Sequence, residues 1–379
     1  MKVYIPRRIA EEGLDYLRER GYEVKLGSAQ DEATMIREIA DCDAVIIRLD
    51  KLTAAVIDAA PKLKVIGRHG VGLDNIDVEH ATQKGIWVTN GPLSNAGAVA
   101  EHTVMLMLCC ARRTYGFNSL EPKEAFQTHQ HNLGTEIFGK TLGIVGYGRI
   151  GRTVANIARL GFGMDVIATS PHIMDKPKEE GIRFTPDPME VYEQADFVSL
   201  HMPATRETSR IVGKAELGRM KPGAYLINTA REELVDREAL LFALAEGKIA
   251  GAGLDFCAEP EEMDYLKALI GTGRVLVTPH SGSMTKDAMA KMAVHAAMGV
   301  HEVLSGGTPT WPVNRPILCS QKELMKRLLL FVGTLLCSTQ EASAAHRRWL
   351  PGGLCLSFAI PCAFCLTFGA ESCRMSKLR

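Results

Sequence analysis

The chain has 379 residues, enough for two domains of ordinary size. Its 44 basic and 44 acidic residues balance, which excludes bulk electrostatic attraction to nucleic acid or to a membrane surface. The balance is uneven: residues 319–379 carry a net charge of +5 and six of the ten cysteines, so the body before them carries −5.

Residues 1–10 contain Arg7 and Arg8 but no apolar core of signal-peptide length. The four body cysteines, Cys42, Cys109, Cys110 and Cys257, have no metal-ligand or disulfide spacing, which fits a reduced, cytoplasmic setting. Through residues 1–95, strand-like and helix-like segments alternate. Residues 3–5, 43–47, 64–67 and 86–89 read as strands, and 10–20, 31–40 and 53–60 carry helical apolar spacing. The alternation predicts an open parallel sheet with helices on both faces. This unit has no phosphate-type glycine fingerprint, so the nucleotide site is expected elsewhere.

Residues 96–112 form a long apolar helix, long enough to cross from one domain to the next. A helix that apolar is unstable in water unless covered, and a twin subunit is the expected cover, which predicts a homodimer. Next comes Lys140-Thr-Leu-Gly-Ile-Val-Gly-Tyr-Gly-Arg-Ile-Gly151. Residues 142–145 read as a buried strand, and 152–160 continue as a helix. Gly146, Gly148 and Gly151 fit the G-x-G-x-x-G spacing: the first permits the tight turn, the second lets backbone approach a pyrophosphate, and the third lets helix and strand pack closely. Gly146, Gly148, Arg149, Ile150 and Gly151 are the candidate phosphate contacts. Further strands are expected at 165–168, 197–200, 225–228, 251–254 and 275–278, giving the six that a dinucleotide fold requires. Residues 286–304 are again helical, and 311–318 trail off through prolines.

The last 61 residues differ in kind. Residues 349–370 hold 22 positions without a charge, a length that spans a bilayer, but Pro351, Gly352, Gly353, Pro361 and Gly369 interrupt them. The tail 319–379 is read as a disordered or non-native appendage rather than an anchor or regulatory domain.

In open α/β sheets ligands bind beyond the carboxyl ends of the strands. There the nucleotide unit delivers Arg231, then Asp255 and Glu259, then His280. Singly, each is an ordinary surface or packing residue. Together, beside a dinucleotide fingerprint, they offer parallel donors for a carboxylate and a group that exchanges protons near neutral pH. That set suits an acid with an adjacent alcohol or ketone.

Five stretches carry a resemblance: Gly67-Arg-His-Gly-Val-Gly-Leu-Asp-Asn-Ile-Asp77, Ala98-Val-Ala-Glu-His102, the fingerprint from Gly139 to Gly151, Met220-Lys-Pro-Gly-Ala-Tyr-Leu-Ile-Asn-Thr-Ala-Arg231, and Val277-Thr-Pro-His280. Over residues 1 to about 318 the chain resembles the D-isomer-specific 2-hydroxyacid dehydrogenases. The resemblance implies two doubly wound parallel-sheet domains, a Rossmann nucleotide domain (96–285) inserted into a flavodoxin-like substrate domain (1–95 and 286–318). It implies that Arg231 binds the substrate carboxylate and carbonyl oxygen, and that His280 is the acid/base. Glu259 would hydrogen-bond His280 and raise its pKa, and Gly70, Val71 and Gly72 would give backbone N–H groups to the carboxylate. Asp255 would hold the nicotinamide carboxamide. Met202, Pro203, Thr229, Ala230, Ser281 and Gly282 complete the cofactor contacts.

Three positions depart from the pattern. The second nucleotide strand ends in Ser170, where a carboxylate for the ribose 2′-hydroxyl is expected; NAD is favoured on family grounds, and NADP is left open by Ser170 together with His172, Lys176 and Lys178. Glu259 lies one residue closer to Asp255 than in the family, with Glu261 or Glu262 as alternatives. Glu232 follows Arg231 where the family has glycine, and weakens acid binding unless it turns away. Arg48 and Arg68, at two strand ends of the first unit, match positions where phosphoglycerate dehydrogenases carry basic residues, so 3-phosphoglycerate is the expected substrate type. The alternatives are a glyoxylate or hydroxypyruvate reductase, or an NAD(H)-sensing binding protein like the family's co-repressor relatives.

Overall fold

Alternating strand and helix propensity builds two parallel sheets whose carboxyl ends face a common cleft. The computed structural model describes residues 1–114, 133–171, 173–175, 179–257 and 260–316. Glu259 and the tail 319–379 lie outside them, as do His172, Lys176 and Lys178.

The first lobe runs β1 (Lys2–Ile5), α1 (Glu11–Glu19), β2 (Glu23–Leu26), α2 (Glu32–Ile39), β3 (Ala44–Ile47), α3 (Ala54–Asp58), β4 (Val65–Arg68), α4 (Val78–Gln83) and β5 (Trp87–Thr89). Its sheet has the order β2-β1-β3-β4-β5, and every pairing is parallel. Side-chain caps start the helices where the chain turns back: Asp31, Thr53 and Asp77 accept from the backbone N–H of Thr34, Val56 and His80.

Helix α5 (Ala96–Ala111) then leaves the first sheet and packs on the second. The second lobe runs β6 (Thr141–Val145), α6 (Arg149–Phe162), β7 (Asp165–Thr169), β8 (Ile182–Phe184), α7 (Pro188–Gln194), β9 (Phe197–Leu200), α8 (Lys214–Arg219), β10 (Tyr225–Asn228), α9 (Arg237–Ala245), β11 (Gly251–Asp255), α10 (Met263–Gly271) and β12 (Val275–Thr278). Among the described residues these strands form one sheet, β12-β11-β10-β9-β6-β7-β8, again all parallel. The strand order reverses at β6, where Rossmann folds bind dinucleotides.

Helix α11 (Lys286–Leu304) returns to the first lobe and packs on α1 and on β3, β4 and β5. A Cβ on Gly13 would lie 2.7 Å from the Ala293 Cβ, so α1 and α11 touch backbone to backbone. Residues 311–316 follow: Val313 N–H donates to Val88 O at 2.8 Å, and Asn314 accepts from Val88 N–H and donates to Ile86 O. The second lobe is thus an insertion between β5 and α11. Buried aliphatic clusters line both faces of each sheet.

Seven elements, β2, β8, α4, α7, α8, α9 and α10, had no counterpart among those expected from the sequence. The strands β2 and β8 are sheet edges, and the four residues of β2 are all partly or fully exposed, so neither shows the apolar run of a buried parallel strand. The sheet of the second lobe therefore has seven strands where six were expected. Helix α4 is six residues long, too short to carry a recognisable period.

Candidate active site

The fingerprint glycines occupy three different steric situations. Gly146 sits at φ +103, and a Cβ there would lie 2.6 Å from the His201 carbonyl carbon. Gly151 packs its Cα against the Gly146 carbonyl, where a Cβ would overlap it. Gly148, which caps α6, has no atom within 4 Å of an added Cβ and is exposed. Free backbone at the start of a 14-residue helix is a cradle for an anion, so the turn fits a dinucleotide pyrophosphate. Arg149 is exposed on the first turn of α6, and Ile150 lines the cleft. Ser170 follows β7, with no carboxylate of its own to meet a ribose.

The cleft has a volume of about 690 Å³ and draws its walls from both lobes. Arg48, Arg68, Gly70, Val71 and Gly72 line it from the first, and Met202, Pro203, Thr229, Ala230, Arg231, Asp255, His280 and Gly282 from the second. The predicted substrate and catalytic residues within the described set therefore meet in one place.

Arg68 is largely desolvated, and its hydrogen bonds go to backbone carbonyls. Its Nε donates to Gly72 O at 2.6 Å and its Nη1 to His69 O at 2.5 Å. Burial first, and then the charge of Arg231, bring its pKa down to about 10. Arg48 donates to Arg8 O at 2.9 Å, and its pKa is lowered by burial and by Arg7. Among the described residues neither arginine has a carboxylate at ion-pair distance. His69, which was given no role from the sequence, is 4 % exposed; burial, then Arg48 and Arg68, push its pKa to about 3 and keep the ring neutral.

The three expected backbone donors differ in what they already hold. Gly70 N–H is already bonded to Arg68 O at 3.0 Å, closing the turn after β4. Val71 and Gly72 N–H have no acceptor among the described residues and remain available.

Arg231 reaches across the cleft. Its Nε and Nη2 donate to Asp74 Oδ2 at 2.9 and 2.7 Å, and its Nη1 donates to Ala230 O at 2.8 Å. Three of its five N–H groups are thus used, leaving one on each terminal nitrogen, the pair that a carboxylate accepts. The guanidinium lies directly over Gly72, where a Cβ would overlap Nη2. Asp74 was not singled out in the sequence; nothing in its spacing marks it as the partner of a residue 157 positions away.

His280 follows β12 with φ +49, an uncommon conformation for a residue with a Cβ. Desolvation by the cleft walls, and then the charge of Arg231, lower its pKa. The turn that carries it is held by Asp255, whose Oδ1 accepts from Thr278 Oγ1 at 2.6 Å and Ser281 N–H at 2.8 Å, and whose Oδ2 accepts from Gly282 N–H at 2.8 Å. Burial, the largest single influence, raises the Asp255 pKa, but bonding to His102, Thr278, Ser281 and Gly282 outweighs it and brings the carboxyl to about 2. Glu232 turns to Arg237, with Nε–Oε1 at 2.8 Å, rather than to the anion site. Glu262, an alternative for the acid beside His280, is paired with the same Arg237. Glu259 itself falls outside the described residues.

Fold and site together define a dinucleotide-binding α/β protein with an arginine and a histidine on one interlobe cleft. The chain belongs to the D-isomer-specific 2-hydroxyacid dehydrogenase family. Residues 104–282 match the family model described as "D-isomer specific 2-hydroxyacid dehydrogenase, NAD binding domain". The glyoxylate reductase of Thermococcus litoralis is 38% identical over 330 residues, 84% of this chain and 98% of that protein. The D-3-phosphoglycerate dehydrogenase of Methanocaldococcus jannaschii is 37% identical over 324 residues, 85% of this chain; the match spans only 61% of that longer protein. A crystal structure of a Thermus thermophilus protein superposes with a TM-score of 0.72 at 37% identity, covering 83% of this chain and all of that one.

Because Gly72 is not at positive φ and the atom above it is the end of a flexible side chain, Gly72→Ala should leave the fold intact and displace Arg231. We expect kcat/KM for a 2-keto acid to fall by roughly 100-fold, the scale of a misplaced binding group, with an unchanged melting temperature. Steady-state kinetics beside a thermal melt check this, and an unchanged kcat/KM contradicts it.

Proposed function

We propose that the protein interconverts a 2-keto acid and the corresponding D-2-hydroxy acid, using NAD(H). The observation that carries the reading is the convergence of Arg231, the free Val71 and Gly72 N–H groups and His280 on one cleft. In this reading, the two remaining N–H groups of Arg231 and the two backbone donors take the substrate carboxylate and its neighbouring oxygen. Held on the Gly146–Gly151 turn, a nicotinamide coenzyme would supply the hydride for the keto carbon or accept it from the alcohol. His280 gives its proton to the carbonyl oxygen or removes the hydroxyl proton. The cation that helps depress the His280 pKa is Arg231 itself. An anionic substrate neutralises Arg231, so substrate binding raises the His280 pKa and brings a proton to the ring when it is needed. Ser170 places no negative charge where a 2′-phosphate would lie, and NADP(H) is therefore a second acceptable coenzyme in this reading.

For the substrate, we favour an acid with a second anionic group, of the 3-phosphoglycerate type. Arg48 and Arg68 support this, as cations in the cleft wall whose hydrogen bonds go to backbone carbonyls. The rival is a small keto acid such as glyoxylate or hydroxypyruvate, favoured by the match over almost the full length of a glyoxylate reductase. Arg48→Ala separates them. Turnover on the phosphorylated acid should fall by about 10- to 100-fold, the value of a lost charged hydrogen bond of ~1.5–3 kcal/mol, while a small keto acid is spared. Equal losses on both reject the second-anion assignment.

We also propose a homodimer with α5 at its interface, in a reduced cytoplasmic setting. Met105 and Leu108 on α5 are partly exposed, and Leu133, Phe138 and Leu160 are each more than 70% exposed. The segment after residue 132 is tied to the end of α5 by Thr135 N–H donating to Ala111 O, and these exposed apolar side chains are what a partner subunit would cover. Sedimentation at micromolar concentration should show twice the chain mass, and a monomer there contradicts the proposal. No helix among the described residues is long and apolar enough to cross a membrane.

A further inference from the structure

Helix α5 is apolar along most of its length, yet the adjacent residues His102 and Thr103 each reach a different arm of the site. Thr103 is fully buried. Its hydroxyl donates to Val99 O at 2.8 Å and lies 2.8 Å from Thr229 Oγ1. With its one proton on Val99, Thr103 must accept from the Thr229 hydroxyl. Thr229 opens the turn that ends in Arg231.

His102 Nε2 lies 2.9 Å from Thr278 Oγ1, and the Thr278 proton goes to Asp255 Oδ1 at 2.6 Å. His102 is therefore the donor to Thr278. Asp255 in turn accepts from Ser281 and Gly282 N–H, the two residues after His280. A Cβ on Gly282 would lie 3.0 Å from Asp255 Oδ2 and 3.7 Å from His102 Cδ2, so this turn is packed against the same group. A left-handed residue such as His280 persists only where its surroundings over-determine it, and this chain of bonds does so.

We propose that His102 and Thr103 are positioning residues: side by side on one rigid helix, they set the separation of Arg231 and His280 through Thr229 on one arm and Thr278–Asp255 on the other. Neither residue touches the reacting atoms. The inference rests on the reading of Arg231 and His280 as the reactive pair. It adds that α5, which also covers the sheet between them, is the ruler of the site. Hydrogen-bonded support of this kind decides whether a constellation is held within the fraction of an ångström that catalysis demands.

The test uses the full chain with His102→Ala, His102→Gln, Thr103→Val and Thr103→Ser, and reads kcat, KM, NADH affinity by fluorescence, melting temperature and amide exchange at Ser281 and Gly282. We expect His102→Ala and Thr103→Val to lower kcat by about 10- to 100-fold with NADH affinity within roughly threefold of wild type. His102→Gln and Thr103→Ser, which keep a polar group, should recover most of the loss. His102→Ala should also quicken exchange at the Ser281 and Gly282 amides, a readout independent of turnover. Unchanged kcat in both alanine and valine variants, or a loss accounted for entirely by unfolded protein, overturns the proposal, as does unchanged exchange at the two amides. Arg231→Gln and His280→Ala are the controls: if they retain turnover, the reading of the reactive pair fails, and the exchange measurement still judges the positioning role on its own.

Discussion

The site depends on one contact between lobes, the Arg231 guanidinium held by Asp74 above Gly72. Asp74 belongs to the segment after β4, and Arg231 to the turn after β10. Their pairing therefore bridges the carboxyl ends of two separate sheets across the cleft. It also decides which donors of the arginine remain: a carboxylate on one side and the Ala230 carbonyl on the other leave one N–H on each terminal nitrogen. A partly exposed ion pair contributes little to stability. Its consequence here is orientation.

In the proposed reading the same charge links binding to proton transfer. Arg231 depresses both Arg68 and His280, so in the free protein the cleft holds more positive charge than its described carboxylates offset. In the proposed reading, an anion entering the cleft offsets the Arg231 charge and so ties affinity for an acid to the protonation of His280. The framework behind this is rigid and mostly apolar. Buried parallel strands end in turns, α5 lies across β10, β11 and β12, and the Gly253 position approaches the Leu106 Cβ and Cys110 Sγ closely, with an added Cβ 3.1 Å from each.

Much of this was legible in the sequence because it follows from local rules. The strand–glycine–helix run at 141–151 specifies its own turn, and each of its three glycines meets a distinct steric demand. Arg231 and His280 were visible because parallel strands deliver ligand-facing residues at their carboxyl ends. What escaped was non-local. Asp74, His102 and Thr103 act through partners more than 120 positions away, and no spacing reports such a pairing. The commitment of the Gly70 N–H to Arg68 was hidden for a different reason: a turn's internal bond depends on dihedral angles that composition does not encode. The edge strands β2 and β8 were missed because partial exposure removes the apolar run that marks their central neighbours.

The most direct test is a crystal structure of the protein with NAD(H) and an unreactive 2-keto acid analogue. The analogue's carboxylate is predicted on the two free N–H groups of Arg231 and on Val71 and Gly72 N–H, its keto oxygen within hydrogen-bond distance of His280, and Asp74 still holding Nε. An analogue seated away from Arg231, or a coenzyme bound elsewhere than the Gly146–Gly151 turn, would contradict it.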